Sequence, residues 1–225
     1  MNIFSYIVTK NEAGRYLEDT LSSLREQVDG ICVFDDRSDD NTVEILKNLR
    51  IPHMINSWGR PFLDDESAFR ERAWRFMEDL FEPLPGDWIL TLDADEALRE
   101  KRSLQEVCVQ AHVTGQDALW MHVHELWSPT EIRTDGYWGT IRALRLAAWK
   151  ANGKFAPKKM GGGSLPDYIQ NAGETSDLDI LHYGYVRQED REAKHARYSG
   201  TSGHSSRHIS SILQSPTLAQ LPPIV

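Results

Sequence analysis

Trp88-Ile89-Leu90-Thr91-Leu92-Asp93-Ala94-Asp95-Glu96 is a run of strand-forming residues that stops at three carboxylates. A run with no polar break reads as a strand buried on both faces, the pattern of an interior strand in a parallel α/β sheet. Open α/β sheets hold their ligands outside the carboxyl ends of the strands, which is where Asp93 and Asp95 fall. Carboxylates two residues apart can converge on one hard cation, and phosphate oxygens commonly complete its shell. The triplet therefore reads as a divalent-metal and diphosphate site. Taken alone it is a weak signal in a chain with 34 acidic residues, because a strand-ending Asp also caps turns.

Upstream, Ile3-Phe4-Ser5-Tyr6-Ile7-Val8 reads as a first strand ended by Thr9-Lys10-Asn11-Glu12. Leu17, Leu21, Leu24 and Val28 then recur at the spacing of one helix face. Gly30-Ile31-Cys32-Val33-Phe34 is a second buried strand, running into Asp35-Asp36-Arg37-Ser38-Asp39-Asp40-Asn41-Thr42. Asn41 with Glu44 predicts the N-terminus of a helix carrying Val43, Leu46 and Leu49. Residues 51–65 read as a short strand and a polar loop. The helix that follows has Phe69, Ala73, Phe76 and Leu80 predicted inward and its arginines elsewhere around it. Pro83 and Pro85 end that helix before Gly86 turns the chain into the Trp88 strand.

Downstream, Ser103 with Glu106 opens a helix over 104–113, and 118–127 and 140–149 alternate as half-exposed antiparallel strands. Together these features predict a single α/β domain. Residues 1–100 form a Rossmann-like half with a mostly parallel sheet, 101–198 a mixed or antiparallel half, and 199–225 a tail that is either a packed strap or an oligomer contact.

The 225 residues, 40% hydrophobic and 26% charged, suffice for one sizeable core and exclude a disordered chain. There is no apolar stretch of transmembrane length, and the opening residues lack the basic start of a signal peptide, so a cytoplasmic location is expected. Cys32 and Cys108 sit in no ligand spacing and read as core residues. The net charge of −9 is uneven: residues 1–135 hold 14 basic against 27 acidic residues, and 136–225 hold 11 against 7. Between Asp135 and Asp167 there is no acid, while Arg142, Arg145, Lys150, Lys154, Lys158 and Lys159 fall there. Such a basic second half suits an anionic ligand.

Lys10-Asn11-Glu12 after the first strand, Asp35-Asp36-x-Ser38-x-Asp40-x-Thr42 after the second, Arg70, the Trp88 to Glu96 run, and Leu181-His182-Tyr183-Gly184-Tyr185 occur in one order. In that order they resemble the family 2 glycosyltransferases of the GT-A fold, over residues 1 to about 100 and again near His182. The resemblance implies transfer of a sugar from a nucleotide diphosphate donor to an acceptor hydroxyl, with inversion. It implies that Thr9, Asn11, Glu12 and Asp36 hold the nucleoside, that Arg70 approaches the nucleotide or diphosphate, and that Asp95 ligates Mn²⁺ or Mg²⁺ directly and Asp93 directly or through the nucleotide's ribose or water, with His182 a further contact to the metal or phosphate. It also implies a base for the acceptor proton, for which Asp167 is the candidate and Glu125 and Glu174 the rivals. The acceptor class implied is a surface glycan or lipid-linked saccharide; a hydroxymethylated base in DNA is the alternative that the basic half permits.

Other patterns stay open at this level. Trp120, Trp127, Tyr137 and Trp138 could stack a sugar or simply pack. His122 and His124 share a strand face without a third ligand at recognisable spacing, which argues against zinc. Gly161-Gly162-Gly163 after Lys158 and Lys159 lacks the Walker pattern and reads as a mobile loop. Two competing functions remain: sugar nucleotidyl transfer, which expects a glycine-rich basic loop after the first strand, and an inactive nucleotide-sugar-binding module.

Overall fold

A computed structural model of the chain describes residues 1–59, 61–157, 163–199 and 206–224. In chain order it contains β1 (Ile3–Thr9), α1 (Leu17–Leu24), β2 (Gly30–Asp35), α2 (Thr42–Asn48), β3 (His53–Ile55), α3 (Glu66–Phe81), β4 (Trp88–Asp93) and β5 (Glu96–Glu100). There follow α4 (Leu104–Val113), β6 (Ala118–Glu125), β7 (Glu131–Arg133), a 3₁₀ turn at Gly136–Thr140, β8 (Arg142–Ala148), β9 (Ala172–His182), α5 (Gln188–Ser199), α6 (Ser206–Ser211) and β10 (Leu218–Gln220). Among the described residues eight strands form one sheet in the order β3-β2-β1-β4-β8-β6-β9-β5. Its first four strands run parallel; β8 joins β4 and β6 antiparallel, β9 lies parallel to β6, and β5 antiparallel to β9. This is the expected α/β class, parallel in its first half and mixed in its second.

The core follows from the apolar runs. Trp88, Ile89, Leu90 and Leu92 of β4 are fully buried between β1 and β8. Leu17, Leu21 and Leu24 of α1 cover one face of the sheet, and each buried side chain of this size contributes roughly 1.5–3 kcal/mol of transfer free energy. On the other face α3 packs Phe69, Ala73, Trp74 and Met77, with Trp74 edge-on to Tyr6 at 6.0 Å. That stripe corrects the predicted one, since Leu80 is 40% exposed and Arg70 is buried. Trp74 and Met77 define the inward face, and Arg70 lies on it because its guanidinium reaches a carboxylate at the end of β4.

Cap chemistry is partly as expected. Ser103 and Glu106 pair at the start of α4. At α2, however, Asn41 makes no side-chain cap; Asp40 Oδ1 accepts the Thr42 amide at 2.9 Å instead. The Thr42 hydroxyl is thereby placed to accept the Glu12 amide at 2.8 Å, joining the loops after β1 and β2. Within the described part of the tail, β10 pairs antiparallel with β7, and the Pro222 carbonyl accepts from Arg99. Among the described residues no helix is long and apolar enough to cross a membrane. Cys32 and Cys108 are free and buried.

Candidate active site

A cleft of about 750 Å³ opens at the carboxyl ends of β1 and β4, closed on its far side by β6, β8, β9 and α5. Register explains its centre. On either side of β9, Glu96 of β5 and Glu125 of β6 both lie opposite His182, so three polar side chains sit in one row across three strands. Asp93 and Asp95 leave β4 immediately beside that row.

Each carboxylate of the triplet already has cationic partners. Asp93 Oδ1 accepts from Arg70 Nη2 at 3.0 Å and Oδ2 from Arg145 Nη2 at 2.9 Å, while its backbone N–H donates to Glu96 Oε2 at 3.0 Å. Burial pushes the Asp93 carboxyl up, but Arg145 and then Arg70 outweigh it and hold the group well below the usual carboxylate range. Arg145 Nη2 also reaches Glu96 Oε1 at 2.6 Å. Asp95 Oδ2 lies 3.2 Å from Lys194 Nζ and 3.3 Å from His182 Nε2; against burial, Lys194 and His182 keep its carboxyl low. The other ring nitrogen, His182 Nδ1, is 2.5 Å from Glu125 Oε2. Arg70 Nη1 and Arg145 Nε are buried with no hydrogen-bond partner among the described residues. Arg145 lines the cleft and Arg70 does not; a buried guanidinium donor left unpaired beside a cleft, as Arg145 Nε is, favours an anion there.

The residues expected to hold the nucleoside are brought to the same end of the sheet. Thr9 and Glu12 line the cleft, and the Thr9 hydroxyl has no hydrogen-bond partner among the described residues. Glu12 accepts from Arg15 Nε at 3.0 Å; burial, and then repulsion from Asp95, raises its carboxyl to about 7. Asp36 lines the cleft too, but its oxygens are engaged within the protein, accepting from Asn56 Nδ2 at 2.8 Å and from the Phe62 amide at 2.9 Å. Asn11 is not a lining residue. It takes a left-handed φ of 54° and bridges the two loops, donating its amide to Ser38 Oγ and accepting the Asp39 amide.

Asp167 is not brought to the cleft. It is exposed in a turn whose amide donates to the Lys154 carbonyl at 2.7 Å, and the adjacent Tyr168 anchors that turn by donating to the Ala148 carbonyl. Glu174 is exposed and paired with Arg142. Of the three acids considered for the base, Glu125 lines the cleft, 6% exposed. Arg145 and Lys194 were not singled out from the sequence as site residues. Arg145 carried a signal as a basic residue in the acid-free stretch. Lys194 carried one in being four residues from Asp190, the helical spacing that makes these two the buried pair of α5.

Of the aromatic residues, Trp127 and Trp138 pack with each other at 5.3 Å and with Tyr185, and Arg133 lies over both rings. Tyr137 lines the cleft and is 57% exposed, whereas Trp120 does not reach it. Residues 158–162, and with them Lys158, Lys159 and most of the glycine run, lie outside the described residues.

Two places in the structure gather donors of the kind that hold a metal. His122 and His124 are joined by Asp179 of β9, the third ligand that spacing did not reveal, with ligand atoms within 4.8 Å of one another. Asp179 Oδ2, however, is 3.0 Å from Lys101 Nζ and 3.4 Å from Arg99 Nη1, so a dication there would face two fixed positive charges. In the cleft, Asp95 and His182 are donors of the type that hold Mn²⁺. Yet Lys194 Nζ stands within 3.2 Å of both, and Asp93 is spanned by two arginines. As arranged, these residues do not fit the divalent ion expected of the triplet.

Comparison with known proteins gives a consistent picture. Residues 6–76 match the family model described as Glycosyl transferase family 2. The chain is 30% identical over 195 residues to an uncharacterised protein of Mycobacterium tuberculosis, covering 80% of this chain and 46% of that one. It is 33% identical over 99 residues to an uncharacterised glycosyltransferase of Rickettsia felis, covering 44% of this chain and 30% of that one. The chain thus spans less than half the length of these relatives. Among solved structures, S. aureus TarS 1–349 superposes with a TM-score of 0.55 over 95% of this chain and 69% of that one, at 14% identity. The same fragment in complex with UDP gives a TM-score of 0.52 at 13% identity, covering 95% and 70%. These likenesses show a GT-A fold.

Proposed function

This chain belongs to the family 2 glycosyltransferases, and from that premise we propose that it transfers a sugar from a nucleoside diphosphate sugar to an acceptor hydroxyl with inversion. The observation that carries the reading is the convergence of Arg70, Arg145 and Lys194 on Asp93 and Asp95 at the carboxyl end of β4. The nucleoside lies toward Thr9, Glu12 and Asp36, and the diphosphate toward the two arginines and the lysine. UDP, bound in one TarS structure, is the first donor base to try.

In the transfer, the acceptor oxygen attacks the anomeric carbon. The bond from that carbon to the β-phosphate oxygen breaks, and the electron pair leaves with the nucleoside diphosphate. Guanidinium groups already fixed by buried carboxylates stabilise that growing charge without having to reorganise. Glu125 takes the acceptor proton. His182 holds its Oε2, and Oε1 has no hydrogen bond among the described residues. Tyr137, exposed on the same wall, offers an aromatic face to the acceptor sugar. A surface glycan or lipid-linked saccharide is the acceptor class proposed. No step calls on the Mn²⁺ or Mg²⁺ expected from the triplet, since the Lys194 ammonium stands 3.2 Å from Asp95 Oδ2 and 3.0 Å from His182 Nε2.

The test is incubation of the purified chain with UDP-, GDP-, CDP- and dTDP-sugars and short glycan acceptors. Nucleoside diphosphate release with a glycosylated product is expected. Pyrophosphate release would point to nucleotidyl transfer, and binding without turnover of any donor to a binding module; either would overturn the reading.

A further inference from the structure

We propose that Lys194 is the resident cation of this site: its ammonium takes the place between Asp95 and His182 where a divalent ion would be held, and meets the donor's β-phosphate itself. The inference rests on the transferase reading for the identity of the anion, but not for the occupancy of the seat.

Three distances define the seat. Nζ lies 3.2 Å from Asp95 Oδ2 and 3.0 Å from His182 Nε2, and those two atoms are 3.3 Å apart. A metal ion sits about 2.1 Å from such donors, so on the Lys194 side it would overlap the ammonium. One cation or the other can stand there.

The lysine is held in place rather than reaching in from solvent. It is buried on α5, and its ammonium also lies 4.7 Å from the centre of the Tyr185 ring. A buried ammonium is costly unless paired, and Asp95 is the carboxylate that pairs it. The helix that carries it is pinned to the loop after β1 by Arg15 on Asp190 at 2.8 Å, and by Arg187 on the Gly14 carbonyl at 3.1 Å. Gly184 supplies the room: a Cβ there would collide with Lys194 Nζ, Asp95 Oδ2 and His182 Nε2 together. A side chain at that position would close the place the ammonium occupies.

Asp93 adds an independent argument. In an Asp-x-Asp metal site both acids are expected to face the ion or its water, but here Arg70 and Arg145 take one oxygen each. The positive charge around the diphosphate is then supplied by three side chains of the protein.

The test compares the full chain with Lys194→Ala in two measurements: Mn²⁺ binding followed by electron paramagnetic resonance, and binding of UDP, GDP, CDP and dTDP by calorimetry, in EDTA and then in Mn²⁺. The wild type is expected to bind its preferred diphosphate in EDTA and to take up no Mn²⁺ that Asp95→Asn abolishes. Lys194→Ala is expected to lose at least tenfold in diphosphate affinity in EDTA, to gain a Mn²⁺ site, and to recover affinity when Mn²⁺ is added. The gained site should vanish in the Lys194→Ala, Asp95→Asn double variant, which separates it from any binding at His122, His124 and Asp179. If Lys194→Ala does not fold, Lys194→Gln carries the same expectation. The proposal is overturned if the wild type binds Mn²⁺ at Asp95 as tightly as the variant, or if EDTA abolishes diphosphate binding by the wild type. Failure of every diphosphate to bind any of these proteins would count against the transferase reading, while the Mn²⁺ titration alone would still decide for or against Lys194.

Discussion

Arg15 Nη1 lies 2.8 Å from Asp190 Oδ1, a contact that ties the loop after β1 to α5 and so joins the wall of the cleft proposed for the nucleoside to the helix that carries Lys194. Asp190 is 4% exposed, and its Oδ2 has no hydrogen-bond partner among the described residues, so Arg15 is its main compensation. Arg15→Ala leaves that buried carboxylate uncompensated and is expected to cost on the order of 3 kcal/mol in urea unfolding. Diphosphate affinity should fall with it, because α5 loses its anchor. Unchanged affinity in a destabilised but folded variant would mean that α5 is positioned by Arg187 and its own packing alone.

The choice of base separates two acids by position. Glu125→Gln keeps the shape of the row it forms with His182 and Glu96 but cannot accept the acceptor's proton. Its turnover should fall by roughly 10²–10⁴-fold, with donor affinity within a few fold of wild type. Asp167→Asn should leave both unchanged, since that side chain is exposed on a turn away from the cleft. The opposite pattern, in steady-state kinetics and calorimetry on both variants, would return the role to Asp167.

What could be read from the chain alone was set by how local each determinant is. The β4 run, the leucines of α1 and the Ser103 box depend on neighbours within one element, so period and cap chemistry announce them. The bond that puts Arg70 inside is not local: its partner Asp93 is 23 positions away, and without it the helix period makes Arg70 a surface charge. Lys194 and Asp95 are 99 positions apart, and β9, which brings His182 between Glu96 and Glu125, begins as an alternating polar strand with little apolar signal. The acidic half of the site was legible because it ends a strand. Of the basic half only Arg70 was named as a site residue; Arg145 and Lys194 were not, because they arrive from β8 and α5.

Glu12 should impose a pH dependence on stability. Burial first and Asp95 second raise its carboxyl to about 7 from an ordinary value near 4.5. Between those values the folded chain holds a proton that the unfolded chain has released, so this contribution falls as pH rises through the window and is largest below about 4.5. The full span is on the order of 3 kcal/mol. Glu12→Gln removes the group, and urea midpoints of wild type and variant should therefore diverge in the variant's favour between pH 5 and pH 7.5. Parallel midpoints across that range would show that Arg15 neutralises Glu12 completely.

Asp93 and Asp95, two residues apart, should respond differently to neutralisation. Asp93 is the shared carboxylate of two buried guanidinium groups; Asp93→Asn leaves Arg145 with Glu96 and Arg70 with Glu66, but removes the charge between them. Two like charges then face one another across a neutral amide, and a loss of about 3–5 kcal/mol in urea unfolding is expected. Asp95→Asn should lose less, because it strands one buried ammonium, which keeps the Tyr185 ring beside it, rather than two guanidinium groups. Added inorganic phosphate should recover more stability in Asp93→Asn than in wild type, since an anion can stand in for the missing carboxylate between the two guanidinium groups. Equal losses for the two variants, with no differential effect of phosphate, would mean that the arginines are held by Glu66 and Glu96 alone and that Asp93 is not what keeps them aimed at the cleft.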